Sequence, residues 1–337
     1  MGRAYRAGMA SIIPFLPRGA SAAGDARRRA GAAEFGLLAP IVADPRVTDV
    51  FVNDGQVWTD RGRGPQREPA LSLGPGDARA LAVRLIGLAG RHVDESAPCV
   101  DARLGDGIRV HVVLPPVAPR GPLISIRLPA VEPWSLDALH GSGFLPGRTR
   151  ARLAALVAER RNVLISGAAG SGKTTLLSAM LGLAPPGERI IVIEDVGEIR
   201  VEHPHVVGLE TRQANLEGAG EIGLARLVRE ALRMRPDRLV LGECRGEEIR
   251  ELLTALNTGH DGGAGTIHAN SLADVPARLE ALGALAGLGP EAVGRLAASA
   301  LDAVVHVEQG PTGRRVAEIG RPALDRSGRL VIESAAR

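Results

Sequence analysis

The chain has 337 residues, 45% hydrophobic and 23% charged, a balance that supports a buried core and excludes global disorder. No apolar run approaches the ~20 residues that span a bilayer, and two cysteines, Cys99 and Cys244, exclude a disulfide framework and make a reducing compartment the default. The net charge of +3 is uneven: residues 1–33 hold six Arg and one Asp, leaving −2 on the remainder, which argues against a protein that coats nucleic acid.

At this length two domains are expected. Residues 1–33 read as a flexible, solvated basic tail; the piece Ile12 to Pro17 is too short and proline-broken for a signal peptide, and Arg27-Arg28-Arg29 stands in an Ala/Gly context. Residues 34–130 carry the punctuation of a small α+β domain. Strands are predicted at Val47 to Val52 and Gln56 to Thr59 around the turn Asn53-Asp54-Gly55, then a helix over Asp77 to Ala89 with Asp77 as N-cap. Ile108 to Leu114 and Leu123 to Leu128 are further strand candidates, and 131–149 reads as a linker with a short helix and Trp134.

From 150 to 337 strands and helices alternate, the pattern of a parallel sheet with crossover helices. Strands are predicted at Asn162 to Ser166, Arg189 to Ile193, Arg238 to Leu241 and Gly265 to His268, with helices at Lys173 to Leu183, Ile222 to Met234, Glu247 to Leu256, 274–287 and 290–301. Strand-like pieces at 303–308, 314–319 and 329–333 follow. The fold class is therefore α/β: a domain with a mainly parallel sheet, preceded by a smaller α+β domain.

Gly167-Ala168-Ala169-Gly170-Ser171-Gly172-Lys173-Thr174 fits G-x-x-x-x-G-K-[ST], after an apolar strand and opening a helix. Its glycines let the backbone amides turn inward onto a polyphosphate, and the helix N-terminus adds its positive end. Lys173 is placed to reach the β/γ-phosphates, and the Thr174 hydroxyl, followed by Thr175, to take a Mg²⁺ position. Lys173 is the only lysine of the chain, among forty arginines. A surface indifferent to the two residues has kept the compact ammonium at the one place where a point charge is required.

Acidic residues complete the constellation. Leu239-Val240-Leu241 runs into Gly242-Glu243, with Gly where P-loop proteins commonly carry Asp, so Glu243 is the candidate metal-shell carboxylate. The strand before it in sequence delivers Glu194, Asp195 and Glu198, carboxylates that could join the metal shell or orient and deprotonate an attacking water. Two histidines, His260 and His268, flank the cluster Gly262-Gly263-Ala264-Gly265; their spacing fits no common zinc pattern, and His268 at a strand end is the candidate γ-phosphate contact. His203-Pro204-His205 reads as a turn, and His92, His111, His140 and His306 as ordinary.

Together these residues resemble the type II/IV secretion ATPase superfamily, in particular its TadA/CpaF pilus-assembly branch, over roughly 34–337. The motifs that carry the resemblance are Asp94 to Pro98, Val100 to Leu104 and Asp106 to Val110, then the P-loop and the Glu194/Asp195/Glu198 box. The segment Arg235 to Gly246 and the box His268-Ala269-Asn270-Ser271 complete it. The resemblance implies a homohexameric, ATP- and Mg²⁺-dependent motor, with nucleotide between its N-terminal domain and its RecA-like P-loop domain. It also implies a place at the cytoplasmic face of a bacterial membrane, working with pilus or secretion platform proteins. It makes Glu198 the water-activating residue and Glu243 the Mg²⁺-shell residue, and gives one of Arg103, Arg109 or Arg127 to the phosphates. Gly263-Ala264-Gly265 departs from the family pattern and implies a looser loop and slow turnover. A conjugal DNA-transfer ATPase is the alternative, although Phe144 is the last aromatic residue of the chain and single-strand binders use aromatic platforms. A nucleotide-dependent scaffold with weak hydrolysis is the third reading.

Overall fold

The computed structural model describes residues 33–62, 64–104, 107–128, 134–212, 220–310 and 313–334. The basic tail at residues 1–32 and Asp106 lie outside the described residues.

The first sheet is antiparallel. Its strands are β1 (Asp49–Asn53), β2 (Gln56–Asp60), β3 (Pro65–Ser72), β4 (Cys99–Arg103), β5 (Arg109–Val113) and β6 (Leu123–Arg127), in the order β3-β2-β1-β6-β5-β4. Alternation of apolar and polar residues puts Val50, Val52, Val110, Val112, Ile124 and Ile126 on one buried face. The helix Pro75–Leu88 covers that face through Ala78, Leu81, Ala82, Leu85 and Ile86. Its N-cap is Gly74, with no side-chain cap, and Asp77 sits in the first turn instead of capping it. Pro75 at the first position explains the earlier start, because its missing N–H has no helical partner there anyway.

The second sheet has eight strands: β7 (Val163–Gly167), β8 (Ile190–Glu194), β9 (Val206–Glu210), β10 (Arg238–Cys244), β11 (Ala264–His268), β12 (Ala303–Gly310), β13 (Gly313–Leu324) and β14 (Leu330–Ser334). The order is β14-β13-β12-β7-β11-β10-β8-β9. β12 through β9 are parallel to one another, and β13 and β14 add an antiparallel edge. Strands β7 and β8 are buried at every position, as strands covered on both faces must be. Two apolar clusters flank them. One joins the helices Leu224–Leu232, Glu248–Leu256, Val275–Leu285 and Pro290–Ala300; the other joins Leu136–Gly141, Thr149–Ala158 and Lys173–Leu181.

Three strands, the short helical turns Ala33–Leu38 and Ala39–Val42, and one longer helix have no counterpart in the sequence reading. β3 is a sheet edge with a largely exposed pattern, and β9 is an edge with no fully buried position, so no clear apolar alternation marks either. β4 is five residues with only Val100 and Ala102 buried. Thr149–Ala158 buries only Leu153 and Val157, too narrow a stripe to stand out from its Ala/Arg context.

The glycine cluster is not a loose loop. Ala264 and Gly265 belong to β11, and a Cβ on Gly263 would stand 2.2 Å from Leu256 Cδ2 and 2.9 Å from the Leu239 carbonyl oxygen. Gly263 N–H donates to Asn162 Oδ1 at 2.9 Å. The small residues let a helix and a neighbouring strand approach the backbone, and the segment is buried and tied.

Candidate functional site

The carboxyl ends of the parallel strands open onto a cleft of about 770 Å³ whose opposite wall comes from the antiparallel sheet. Strand order places the chemistry. β11 and β10 lie between β7, which carries the glycine loop, and β8, which ends in Glu194. His268 at the end of β11 and Glu243 near the end of β10 therefore stand between the two. Ligands in open α/β sheets bind at such carboxyl ends.

The loop after β7 has the geometry the motif requires. Gly170 and Gly172 have φ of +68° and +102°, and Gly172 is the N-cap of the helix Lys173–Leu181, with no side chain on the helix's first amides. Those N–H groups are left for a ligand. A Cβ on Gly167 would lie 2.3 Å from the Val307 carbonyl oxygen, so the loop leaves β7 pressed against β12. Lys173 Nζ donates to the carbonyls of Gly167 (3.1 Å) and Ala168 (2.9 Å), and burial pulls its pKa down. Its hydrogen bonds go only to neutral carbonyls, and burial outweighs the nearby charges of Glu243 and Glu198, a cost that a phosphate on the ammonium relieves. Ser171 Oγ is buried without a hydrogen-bond partner. Beneath the loop, His306 and Ser166 pair at 2.9 Å, Nδ1 to Oγ, joining β12 to β7; burial lowers the His306 pKa. This histidine, ordinary in the sequence, braces the strand that delivers the loop.

The carboxylates divide by environment. Glu194 is 8% exposed. Its Oε1 accepts the backbone N–H of Glu198 and of Ile199, both at 3.0 Å, and burial raises its pKa to about 7. This departs from the metal-shell role expected of it: the carboxyl anchors the segment that carries Glu198. A Cβ on Gly242 would meet Glu194 Cγ at 2.6 Å. The glycine standing where an Asp is common is thus required by the Glu194 side chain. Between Leu241 and Cys244 the pairing of β10 with β11 shifts register, a bulge of the kind that re-aims a side chain. Glu243 there pairs with His268 Nε2 and with Arg245. Burial, then the charge of Lys173, lowers the His268 pKa. Arg245 Nη1 also lies 3.8 Å from Asp195 Oδ2.

The antiparallel sheet contributes arginines. Arg109 on β5 meets Glu198 at 3.0 Å, Nη2 to Oε1, and its Nε is buried with no partner. Burial lowers its pKa against the pull of Glu198. Arg103 turns instead to Glu210 (3.0 Å) and the Asp195 carbonyl, outside the cleft lining, and Arg127 lines the cleft with Nε 3.9 Å from Asp49. Of the predicted site residues, Ala169, Gly170, Gly172, Lys173, Thr174, Thr175, Glu194, Asp195, Glu198, Glu243, His268, Arg109 and Arg127 line the one cleft, with Gly167, Ala168 and Ser171 in the loop behind it. His260 is far from it, bonded to the Ala255 carbonyl at the other end of β11. Sequence reasoning assigned no site role to Trp134, Arg200, Gln309 or Arg314, which also line it. Arg200 follows Glu198 by two residues, whereas Trp134, Gln309 and Arg314 stand outside every motif, and the fold around the second sheet brings them to the wall.

The donors fit a nucleotide-borne Mg²⁺. Among the described residues no group of three or more His, Cys, Asp or Glu could cage a metal. Thr174 and Glu243 in the same cleft suit an ion that keeps its waters and is held mainly by phosphate oxygens.

Comparison with known proteins bears on the family and the fold. Residues 77–309 match the family model described as Type II/IV secretion system protein. A putative conjugal transfer protein of Mycobacterium tuberculosis is 46% identical over 292 residues, covering 84% of this chain and 83% of the relative. The probable conjugal transfer protein TrbB of Sinorhizobium fredii is 33% identical over 298 residues, covering 86% and 88%. The solved structure of the pilus retraction motor PilT with bound ADP shares the fold at a TM-score of 0.58 and 20% identity, covering 91% of this chain and 82% of that one. The RecA-like α/β architecture with its preceding α+β unit is thus the observed fold, and the chain belongs to the Type II/IV secretion system protein family.

Proposed function

We propose that the chain is an ATP-hydrolysing motor subunit of a secretion system. The observation that carries this is the convergence, in one cleft between two sheets, of a glycine cradle with its lysine, two carboxylate-bearing strand ends and an arginine from the facing sheet. In this reading the amides of 170–175 and Lys173 hold the α-, β- and γ-phosphates. Thr174 and Glu243 would hold Mg²⁺, which would supply neutralisation of phosphate charge. Glu198 orients a water and takes its proton as the new P–O bond forms and the bond to the β-phosphate oxygen breaks. Arg109 offsets charge on the γ-phosphoryl oxygens. His268, paired with Glu243, is placed to register whether the γ-phosphate is present.

Residues 34–130 and 150–337 act as two domains whose packing changes as the phosphate is lost, since both walls of the cleft touch the ligand. A ring of six copies, as the resemblance implies, would pass that motion to membrane platform proteins. Among the described residues no helix is long and apolar enough to cross a membrane, which suits a peripheral place at the cytoplasmic face. The motifs favour the pilus-assembly or protein-secretion branch. The second reading, DNA transfer, is favoured by the relatives' names, both conjugal transfer proteins. ATP turnover measured with and without single-stranded DNA separates them. DNA stimulation that weakens as salt rises supports transfer, no stimulation supports pilus or protein cargo, and absence of turnover under all conditions leaves only the scaffold reading.

A further inference from the structure

The phosphate and water ends of the cleft account for the glycine loop, Glu198, Glu243 and His268, and leave a third region unassigned. Thr175 and Ser178 line the cleft along the helix Lys173–Leu181. Ser178 is one turn beyond Thr174, so the cleft continues along this helix past the loop. Trp134 lines the same cleft, the one Phe, Tyr or Trp to do so among the described residues. It precedes the helix Leu136–Gly141 and packs half-buried against the apolar cluster that contains Leu136, Phe144 and Leu177. The Phe144 ring lies 3.0 Å, and Arg314 Cδ 3.8 Å, from where a Cβ on Gly172 would be. Arg314 in turn donates from Nε to Gln309 Oε1 at 3.3 Å.

We propose that Trp134 is the stacking platform for the base of the bound nucleotide, with Gln309 and Arg314 as polar groups at its edge. The proposal rests on the nucleotide reading of the cleft and names the part that reading leaves open. An indole offers a flat apolar face to any base, and its packing against the core holds it in place without ligand. Stacking is tolerant of base identity, so the platform favours purine nucleotides over bare polyphosphate without a sharp choice between adenine and guanine.

The chain has two tryptophans, Trp58 and Trp134, and Trp58 lies on β2 opposite Phe51, outside the cleft lining. In a Trp58→Phe background the emission therefore reports Trp134 alone. Full-length protein would be titrated with ADP, GDP and inorganic tripolyphosphate, following fluorescence and heat. The expected result is that ADP and GDP quench Trp134 and bind within a few-fold of each other, while tripolyphosphate binds without quenching. In otherwise native protein, Trp134→Ala should weaken ADP by about ten-fold or more and leave tripolyphosphate unchanged, and Trp134→Phe should recover most of the loss. ADP affinity unchanged in Trp134→Ala, or tripolyphosphate weakened equally, overturns the platform while the phosphate site stands. Native protein that binds neither ADP nor tripolyphosphate removes the nucleotide reading itself, and the platform with it.

Discussion

Arg109 Nη2 and Glu198 Oε1 lie 3.0 Å apart, joining the antiparallel sheet to the segment after β8 across the cleft. Both side chains are about one-third exposed (30% and 33%), so the pair is only partly screened, and each group is the other's counter-charge in the absence of ligand. A γ-phosphate arriving between them would take over Arg109 and release Glu198 toward water.

Glu198→Gln should therefore lower ATP turnover by about 100-fold or more, the range a positioned general base supplies, with ADP affinity within about three-fold of native. Steady-state turnover beside calorimetric ADP binding reads both. Native-like turnover in the variant would remove Glu198 as the base.

Lys173→Ala should abolish measurable nucleotide binding, because the sole lysine is already desolvated and held by the Gly167 and Ala168 carbonyls. Arg295→Ala, which removes only an exposed ion pair with Glu291 on one helix, should change neither binding nor turnover. Undiminished ATPase in the Lys173 variant would refute the site assignment.

Glu194 makes a pH prediction. Burial raises its carboxyl from 4.5 to about 7, so between those values the folded state keeps a proton that the unfolded chain has lost. The stability this contributes is complete below the ordinary value and is lost as pH rises through about 7, roughly 3 kcal/mol at most. Glu194→Gln keeps an acceptor for the two amides and stays neutral. Urea unfolding should show the variant and native protein nearly equal at about pH 4.5, with the variant gaining by about 1–3 kcal/mol at about pH 7.5. A difference independent of pH would show that Glu194 does not titrate in this window.

Gly242→Ala should destabilise by about 1–3 kcal/mol, since its methyl would press on Glu194 Cγ. Adding Glu194→Ala removes the opposing atoms, and the double variant should lose less than the two single losses summed. Additive losses in urea unfolding would mean that the two residues do not press on each other.

Much of this was legible in the chain because it is local. The phosphate loop is a run of eight residues whose backbone makes the site, and the apolar strands of the second sheet are uninterrupted because they are buried on both faces. The edge strands β3 and β9 left no such mark, since one exposed side of an edge carries no pattern. The box after β8 shows the limit of local reading: its three carboxylates in five residues are alike in pattern, and only the resemblance singled out Glu198, whereas burial separates Glu194, an anchor bonded to backbone amides, from Glu198, which faces an arginine.

The sequence by itself determined the phosphate cradle, the alternation of strands and helices, and the need for one lysine among arginines, because each depends on residues adjacent in the chain. Only the tertiary structure decided that Arg109 faces Glu198, that Glu194 is sequestered by Gly242, and that Trp134 and Arg314 share a wall with the loop. These relationships join residues dozens to more than a hundred positions apart, and they are set by strand order and by how two sheets close on one cleft.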